Sequence, residues 1–516
     1  MTQLAKLPIG IQTFSEIREE GYAYVDKTPL IHRLVTEGKY YFLSRPRRFG
    51  KSLLVSTLQD LFEGRKNLFK GLDIEDKWDW DTTHPVIKIS FGGGTARNLE
   101  SMQRIVGSVL RSSQAHLGVE CAHPEHGGVC FQELIEAVYK KTGQKVVILV
   151  DEYDKFIVDN LDQLDVARQG RDVLRDLYSV IKESDAYIKF ALLTGVSKFS
   201  KMSVFSGLNN LKDISLDERY ATICGYTEKD LDTIFATHLE GADRDEVRRW
   251  YNGYNFLGEK VYNPFDVLLF IDSGQLFDNY WFASGTPNFL ITLIQQNNYY
   301  IPRLDNLKVS KSLIDSSDIE NIQLEPILFQ AGYLTIREVE QAARGGLQFI
   351  LDFPNKEVQL SFSDVIIDYL TNHQSQRADF QDDLYRQLQG TDLDGFEQTL
   401  KSLFAAIPYN NYVNNTISNF EGYYASVIYA YLASLGLDIT AEDTTSLGRI
   451  DLTIRIGDVI YILEFKVDGS GDALKQIRER NYQQKYLADG KKIILIGIDF
   501  DSTSRNVAGF AWEAVE

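Results

Sequence analysis

Arg45-Pro46-Arg47-Arg48-Phe49-Gly50-Lys51-Ser52 decides how the first half of this chain folds. Ahead of it lies Tyr40-Tyr41-Phe42-Leu43, a short apolar and aromatic run that reads as a buried strand. Behind it, Leu53 to Phe62 places apolar residues at helical spacing. Strand, loop ending Gly-Lys-Ser, helix is the setting of a phosphate-binding loop. In that setting the first N–H groups of the helix face an anion, and the helix dipole adds partial positive charge. Lys51 then reaches the terminal phosphates and the Ser52 hydroxyl ligates Mg²⁺. The general pattern has glycine five residues before Gly50. Arg45 stands there instead, followed by Pro46, so a phosphate loop here needs the support of a carboxylate partner downstream.

Lys145-Val146-Val147-Ile148-Leu149-Val150-Asp151-Glu152-Tyr153-Asp154 supplies it. A run apolar on both faces belongs to a parallel sheet, and the carboxyl ends of such strands line the ligand crevice. There Asp151 is expected to hold Mg²⁺ through water, and Glu152 to orient or deprotonate the attacking water. Without a ligand, the same acids would simply favour a helix N-terminus. A further strand, Ile188 to Leu193, ends at Thr194, the expected γ-phosphate sensor. Arg219 is a candidate charge-neutralising finger.

The 516 residues exceed one core and suggest roughly two to four domains. A formal net charge of −19 argues against nonspecific attachment to nucleic acid or anionic membrane, though not against a local basic groove. Three cysteines and no signal-like start fit a reducing cytoplasm, and no apolar run approaches a membrane span. The expectation is a cytoplasmic protein with no membrane association.

Residues 1–39 read as a lead-in, with a helix from about Pro29 to Glu37 and a base contact from Glu20–Thr28 as the functional alternative. Cys121, His123, His126 and Cys130 raise a zinc hypothesis. Their spacing matches no common finger, and a surface loop without metal is the expectation. Residues 216–375 mix helices with aromatic loops such as Trp250-Tyr251-Asn252-Gly253-Tyr254-Asn255, Val261-Tyr262-Asn263-Pro264 and Tyr280-Trp281-Phe282, and suggest a helical lid or linker.

Helical spacing returns over Phe420–Leu432. After it, Arg449 to Ile456 alternates cleanly, and Val459 to Val467 reads as a second, more apolar strand. Gly457-Asp458 between them suits a type II′ turn. Counting back in pairs from that turn sets Asp451 opposite Glu464, with Lys466 on the same face as Glu464. Facing carboxylates weaken a sheet unless a divalent cation lies between them. Asp451, Glu464 and the Phe465 carbonyl offer the hard oxygens Mg²⁺ prefers. Lys466 would assist a nucleophile attacking a phosphodiester, with Glu421 on the preceding helix as a further ligand. An exposed sheet face with an incidental ion pair is the bland alternative.

Tyr24-Val25-Asp26-Lys27-Thr28, the Arg45–Ser52 stretch, Asp151-Glu152-Tyr153-Asp154 and Ser206-Gly207-Leu208-Asn209-Asn210-Leu211-Lys212-Asp213 together resemble the AAA-ATPase-like family of bacteria and archaea over roughly 5–215. That family's loop reads Arg-Pro-Arg-Arg-Phe-Gly-Lys-Ser/Thr, so Arg45 agrees with it. Residues 400–510 resemble the PD-(D/E)XK nuclease superfamily, with Asp451, Glu464, Lys466 and Glu421 at its acid and lysine positions. Gln476 and Tyr482 stand where some nucleases contact substrate. The resemblance implies an α/β chain: a P-loop NTPase with a parallel sheet (1–215), a mainly helical region (216–375) and a restriction-endonuclease-like α/β domain (376–516). It implies ATP at Arg48, Phe49, Gly50, Lys51, Ser52, Asp151 and Thr194, and Mg²⁺ in both domains. Glu152, Asp451, Glu464 and Lys466 carry catalysis in this reading, and nucleic acid, DNA or RNA, is the partner. A homo-oligomer stays open. The rival is a nucleotide-controlled switch or scaffold whose nuclease fold binds without cutting.

Overall fold

Strands β1 (Tyr40–Ser44), β2 (Val86–Ser90), β3 (Val146–Asp151), β4 (Ile188–Gly195) and β5 (Lys212–Asp213) form one sheet in the order β2-β3-β4-β1-β5. Every neighbouring pair is parallel. All residues of β1 and β3 are buried, which is why both read as unbroken apolar runs rather than alternating ones. The helices Lys51–Phe62, Leu99–Leu117, Gly127–Thr142 and Leu164–Glu183 belong to the same unit. β4 lies between β1 and β3, with Leu43 paired to Thr194 and Val150 to Leu193. This insertion sets the tip of β4 between the loop leaving β1 and the acids ending β3.

The computed structural model describes residues 4–515 apart from 95, 199–209, 283–292, 295–298, 316–318, 321, 344, 409–420 and 470–471. Ser206–Asn209 of the family motif and Phe420 lie outside the described residues, as does the side chain of Glu421. Two compact units emerge: Met1–Gly285 with Val309–Phe349, and Thr286–Lys308 with Ile350–Glu516. Residues 216–375, expected to form a region of their own, are thus shared between the two. Strands β6 (Leu307–Ser310), β7 (Thr335–Gln341) and β8 (Leu347–Asp352) make a small sheet in the order β6-β8-β7.

The second unit is built on β9 (Asp438–Thr444), β10 (Arg449–Ile456), β11 (Val459–Val467), β12 (Lys492–Asp501) and β13 (Asn506–Val515), in the order β13-β12-β11-β10-β9. Only β11 and β12 run parallel. The helix Glu421–Ala433 is apolar on nearly every side, and from Tyr423 to Ala433 it is buried, as a helix without a polar face must be. At the β10–β11 turn Gly457 has φ 54°, the positive value a type II′ turn needs at its first central residue. The ladder follows the register set by that turn, from Ile456–Val459 to Leu452–Leu463.

Candidate nucleotide site and candidate nuclease site

Gly50 caps the helix Lys51–Phe62 with φ 87°. A side chain there would meet nothing within 4 Å, so glycine is needed for the backbone conformation and not for space. Lys51 is buried, and its ammonium donates to the carbonyls of Arg45 (2.9 Å) and Pro46 (2.8 Å). Burial lowers its pKa against the opposing pull of Asp151. The Ser52 hydroxyl donates to Asp151 Oδ2 at 2.6 Å, and the Thr194 hydroxyl to Asp151 Oδ1 at 2.7 Å. Loop hydroxyl, strand-end acid and strand-tip hydroxyl therefore meet at one carboxylate. Glu152, at φ 57°, turns away from the strand into the same cavity, and burial raises its pKa, reinforced by Asp151.

The cavity holds about 410 Å³, a size that suits a small-molecule ligand. Arg47, Arg48, Lys51 and Lys155 supply cationic lining, and Glu152 and Asp154 the acids. Pro8, Ile11, Tyr226, Pro264, Phe265 and Leu268 make an apolar wall that suits a base. Sequence reasoning missed this wall. Its residues come from three distant segments, and Pro8–Gln12 carries no motif. The base contact looked for in Glu20–Thr28 has only Ala23 to Val25 and Lys27 beside it, lining an adjoining hollow of about 70 Å³.

Arg45 does not reach the cavity. It is fully buried, with Nη1 donating to Ser44 (2.9 Å) and Ser215 (2.7 Å) carbonyls and Nη2 to Tyr220 (3.2 Å). Its guanidinium lies 3.9 Å from the centre of the Phe256 ring, and burial lowers its pKa to about 10. The residue that breaks the general loop pattern fastens the loop to the segment after β5. Phe49 is likewise buried, edge-on to Tyr254 at 4.8 Å. Thr194 is buried behind Asp151 and does not line the cavity. Arg219 pairs with Asp217 and Glu37 on the surface and does not line it either.

Cys121 and Cys130 are joined as a disulfide, with Cys130 buried on the helix Gly127–Thr142 and not in a surface loop. His123 Nδ1 sits 2.6 Å from Glu133. Among the described residues no group of three or more His, Cys, Asp or Glu is placed to hold a metal. No helix among them is long and apolar enough to cross a membrane.

In the second unit Asp451 Oδ2 accepts the Phe465 N–H at 2.8 Å, one step beyond the Leu452–Leu463 rung of the β10–β11 ladder. Glu464 is 1 % exposed. Its Oε1 accepts from Lys466 Nζ (3.3 Å) and from the Gln476 amide, while Oε2 has no partner. Burial, then the Asp451 charge, pushes its carboxyl up to about 8. Lys466 Nζ also donates to the Phe465 carbonyl at 2.9 Å. Asp451, Glu464, Lys466 and Gln476 are thus brought together, and the orphaned Oε2 with the acid pair forms a donor set that suits a hard divalent cation. Gln476 arrives because β12 carries Gly497 beside Glu464. A Cβ at 497 would lie 2.3 Å from the Leu474 nitrogen, so only glycine lets the helix Ala473–Glu479 settle there. Tyr482 packs in the core and donates to the Arg449 carbonyl at 2.9 Å, a structural position.

Three comparisons bear on these sites. Residues 8–205 match the family described as predicted AAA-ATPase, and residues 419–510 match the PD-(D/E)XK nuclease superfamily. A protein of Azotobacter chroococcum mcd 1, described as an uncharacterized protein in the vnfD 5′ region, is 48% identical over 518 residues, covering 99% of each chain. The Aeropyrum pernix Orc1 protein, solved in complex with DNA, aligns over 66% of this chain and 93% of its own at 12% identity. Its TM-score of 0.26 is too low to carry an argument.

Proposed function

The chain belongs to the predicted AAA-ATPase family, in a form with a C-terminal PD-(D/E)XK nuclease superfamily domain, and from that premise we propose that it hydrolyses ATP in its first unit and cleaves nucleic acid phosphodiesters in its second. The observation that carries the nuclease half is the convergence of Asp451, Glu464 and Lys466 around a buried carboxylate oxygen with no partner.

In the first unit the backbone N–H groups of Gly50 to Ser52 receive the phosphates, and Lys51 exchanges the carbonyls of Arg45 and Pro46 for phosphate oxygens. Arg48 lines the cavity beside the phosphates. Ser52 and Asp151 are the residues that would hold Mg²⁺, and Thr194 fixes the Asp151 carboxylate. Glu152, its basicity raised by burial, takes the proton of the attacking water.

In the second unit Asp451 and Glu464 would hold Mg²⁺. Bound there, Mg²⁺ would neutralise phosphodiester charge and acidify a water. Glu464, protonated while buried beside Asp451, would have to lose that proton to serve as a ligand. Lys466, released from Glu464, holds the attacking oxygen near the phosphorus. The experiment is cleavage of single-stranded, duplex and structured DNA and of RNA, with Mg²⁺, by wild type and Glu464→Ala, beside ATP hydrolysis by wild type and Lys51→Ala. Cleavage lost in the first variant and hydrolysis lost in the second support the reading. Nucleotide-dependent binding with no cleavage of any substrate would leave a nucleotide-controlled binding protein instead.

A further inference from the structure

Glu442 lies on β9 within the ladder to β10, between the paired Ala441–Leu452 and Asp443–Ile450 rungs, and so across from Asp451. It has φ 53°, a left-handed conformation that a non-glycine residue in a strand adopts only under constraint. Such a residue breaks the pleat and re-aims its side chain. Here the side chain is held twice. The Tyr300 hydroxyl donates to Glu442 Oε1 at 2.9 Å, and Oε2 is ion-paired to Arg449 Nε. Asp451 and Arg449 are also near enough for their charges to act on the Tyr300 hydroxyl. Arg449 itself keeps a side chain 64 % exposed, two residues before Asp451.

An exposed arginine is ordinarily left to solvent. This one is anchored by a mostly buried carboxylate, which a tyrosine anchors in turn, at the cost of a strained backbone. The half-buried Asp451 of the candidate nuclease site lies two residues away and repels a polyanion, on a chain of net charge −19. Lys466 is committed to Glu464 and the Phe465 carbonyl. The guanidinium fork has five N–H donors, more than one carboxylate takes, and it matches phosphate oxygens in pairs.

We propose that Arg449 clamps the phosphodiester backbone beside the bond to be cut, and that Glu442 and Tyr300 are positioning residues that hold the clamp ready. The proposal rests on the nuclease reading for the location of the cut, but its test does not need cleavage. Equilibrium binding of a fluorescein-labelled single-stranded DNA, its duplex and the matching RNA is measured across a salt series with Glu464→Gln protein. The same measurement is made after adding Arg449→Ala, Arg449→Lys or Tyr300→Phe. Arg449→Ala should weaken binding about tenfold and lower the slope of log affinity against log salt by about one phosphate contact. Arg449→Lys should restore the slope and only part of the affinity. Tyr300→Phe should weaken binding about two- to fivefold in the same direction, a modest loss because the charge remains. In the cleaving protein Arg449→Ala should raise KM and leave kcat and the Mg²⁺ requirement nearly unchanged. Unchanged binding and salt slope in Arg449→Ala overturn the clamp. So does a fall in kcat with KM and slope intact, which would make Arg449 a support of Asp451. Binding lost in Arg449→Ala while wild type cuts nothing overturns the nuclease reading and leaves the clamp standing.

Discussion

Glu464 is a carboxyl held at about 8 by burial and by the neighbouring Asp451. Its unfolded-state value is that of an ordinary glutamate, so between about pH 4.5 and 8 the folded unit binds more protons than the unfolded chain. Stability contributed by this group is therefore full below the ordinary value and falls as pH rises through that window. Thermal unfolding without divalent cation should show the second unit losing stability from pH 5 to pH 8, and Glu464→Gln should flatten the dependence. Mg²⁺ at pH 8 should raise the wild-type transition and leave that of the variant where it was. A variant with the wild-type slope would remove Glu464 as the origin. At the other site, Lys51→Ala should lower ATP hydrolysis about a hundredfold or more, since it removes the one buried cation expected at the terminal phosphates. These residues were legible because their chemistry depends on short spacings: Gly-Lys-Ser, a strand ending in acids, a two-residue turn that sets a register. Arg45 was less so. Sequence shows a departure from a loop pattern, while its role lies in carbonyls of Ser215 and Tyr220 that only the fold brings near. Arg45→Ala should therefore cost about 3 kcal/mol or more through orphaned buried carbonyls, and Arg45→Lys should not rescue it, as read by chemical denaturation.

The strands carry their information differently. β1 and β3 announced themselves by unbroken apolar runs, and the β10–β11 hairpin by alternation and Gly457. The short helix Ala473–Glu479 was harder to place, because what brings Gln476 to Glu464 is an absence, the missing side chain of Gly497 on β12. Gly497→Ala tests this element directly. The added methyl must push the helix away, so Gln476 should leave Glu464, and Mg²⁺-dependent cleavage should fall about tenfold or more, the order of loss expected when a partner of a metal ligand is removed. Unchanged cleavage with unchanged stability would mean the helix is dispensable to the site. The apolar wall of the nucleotide cavity belongs to the same class of hidden feature. Pro8, Tyr226 and Pro264 have no local pattern in common, and they meet only through tertiary folding.

At the scale of the whole molecule, one chain carries a site suited to a nucleotide and another suited to phosphodiester cleavage, each in its own compact unit. If the first governs the second, Lys51→Ala should alter the rate of cleavage or its response to ATP while Glu464 stays intact. An identical rate with and without ATP in both proteins would make the two activities independent. The most direct measurement is Mg²⁺-dependent cleavage of single-stranded, duplex and structured DNA and of RNA by wild type and Glu464→Ala, run with and without ATP. Cleavage of at least one substrate by wild type and its loss in Glu464→Ala is the predicted result. Cleavage by the variant at the wild-type rate would contradict it.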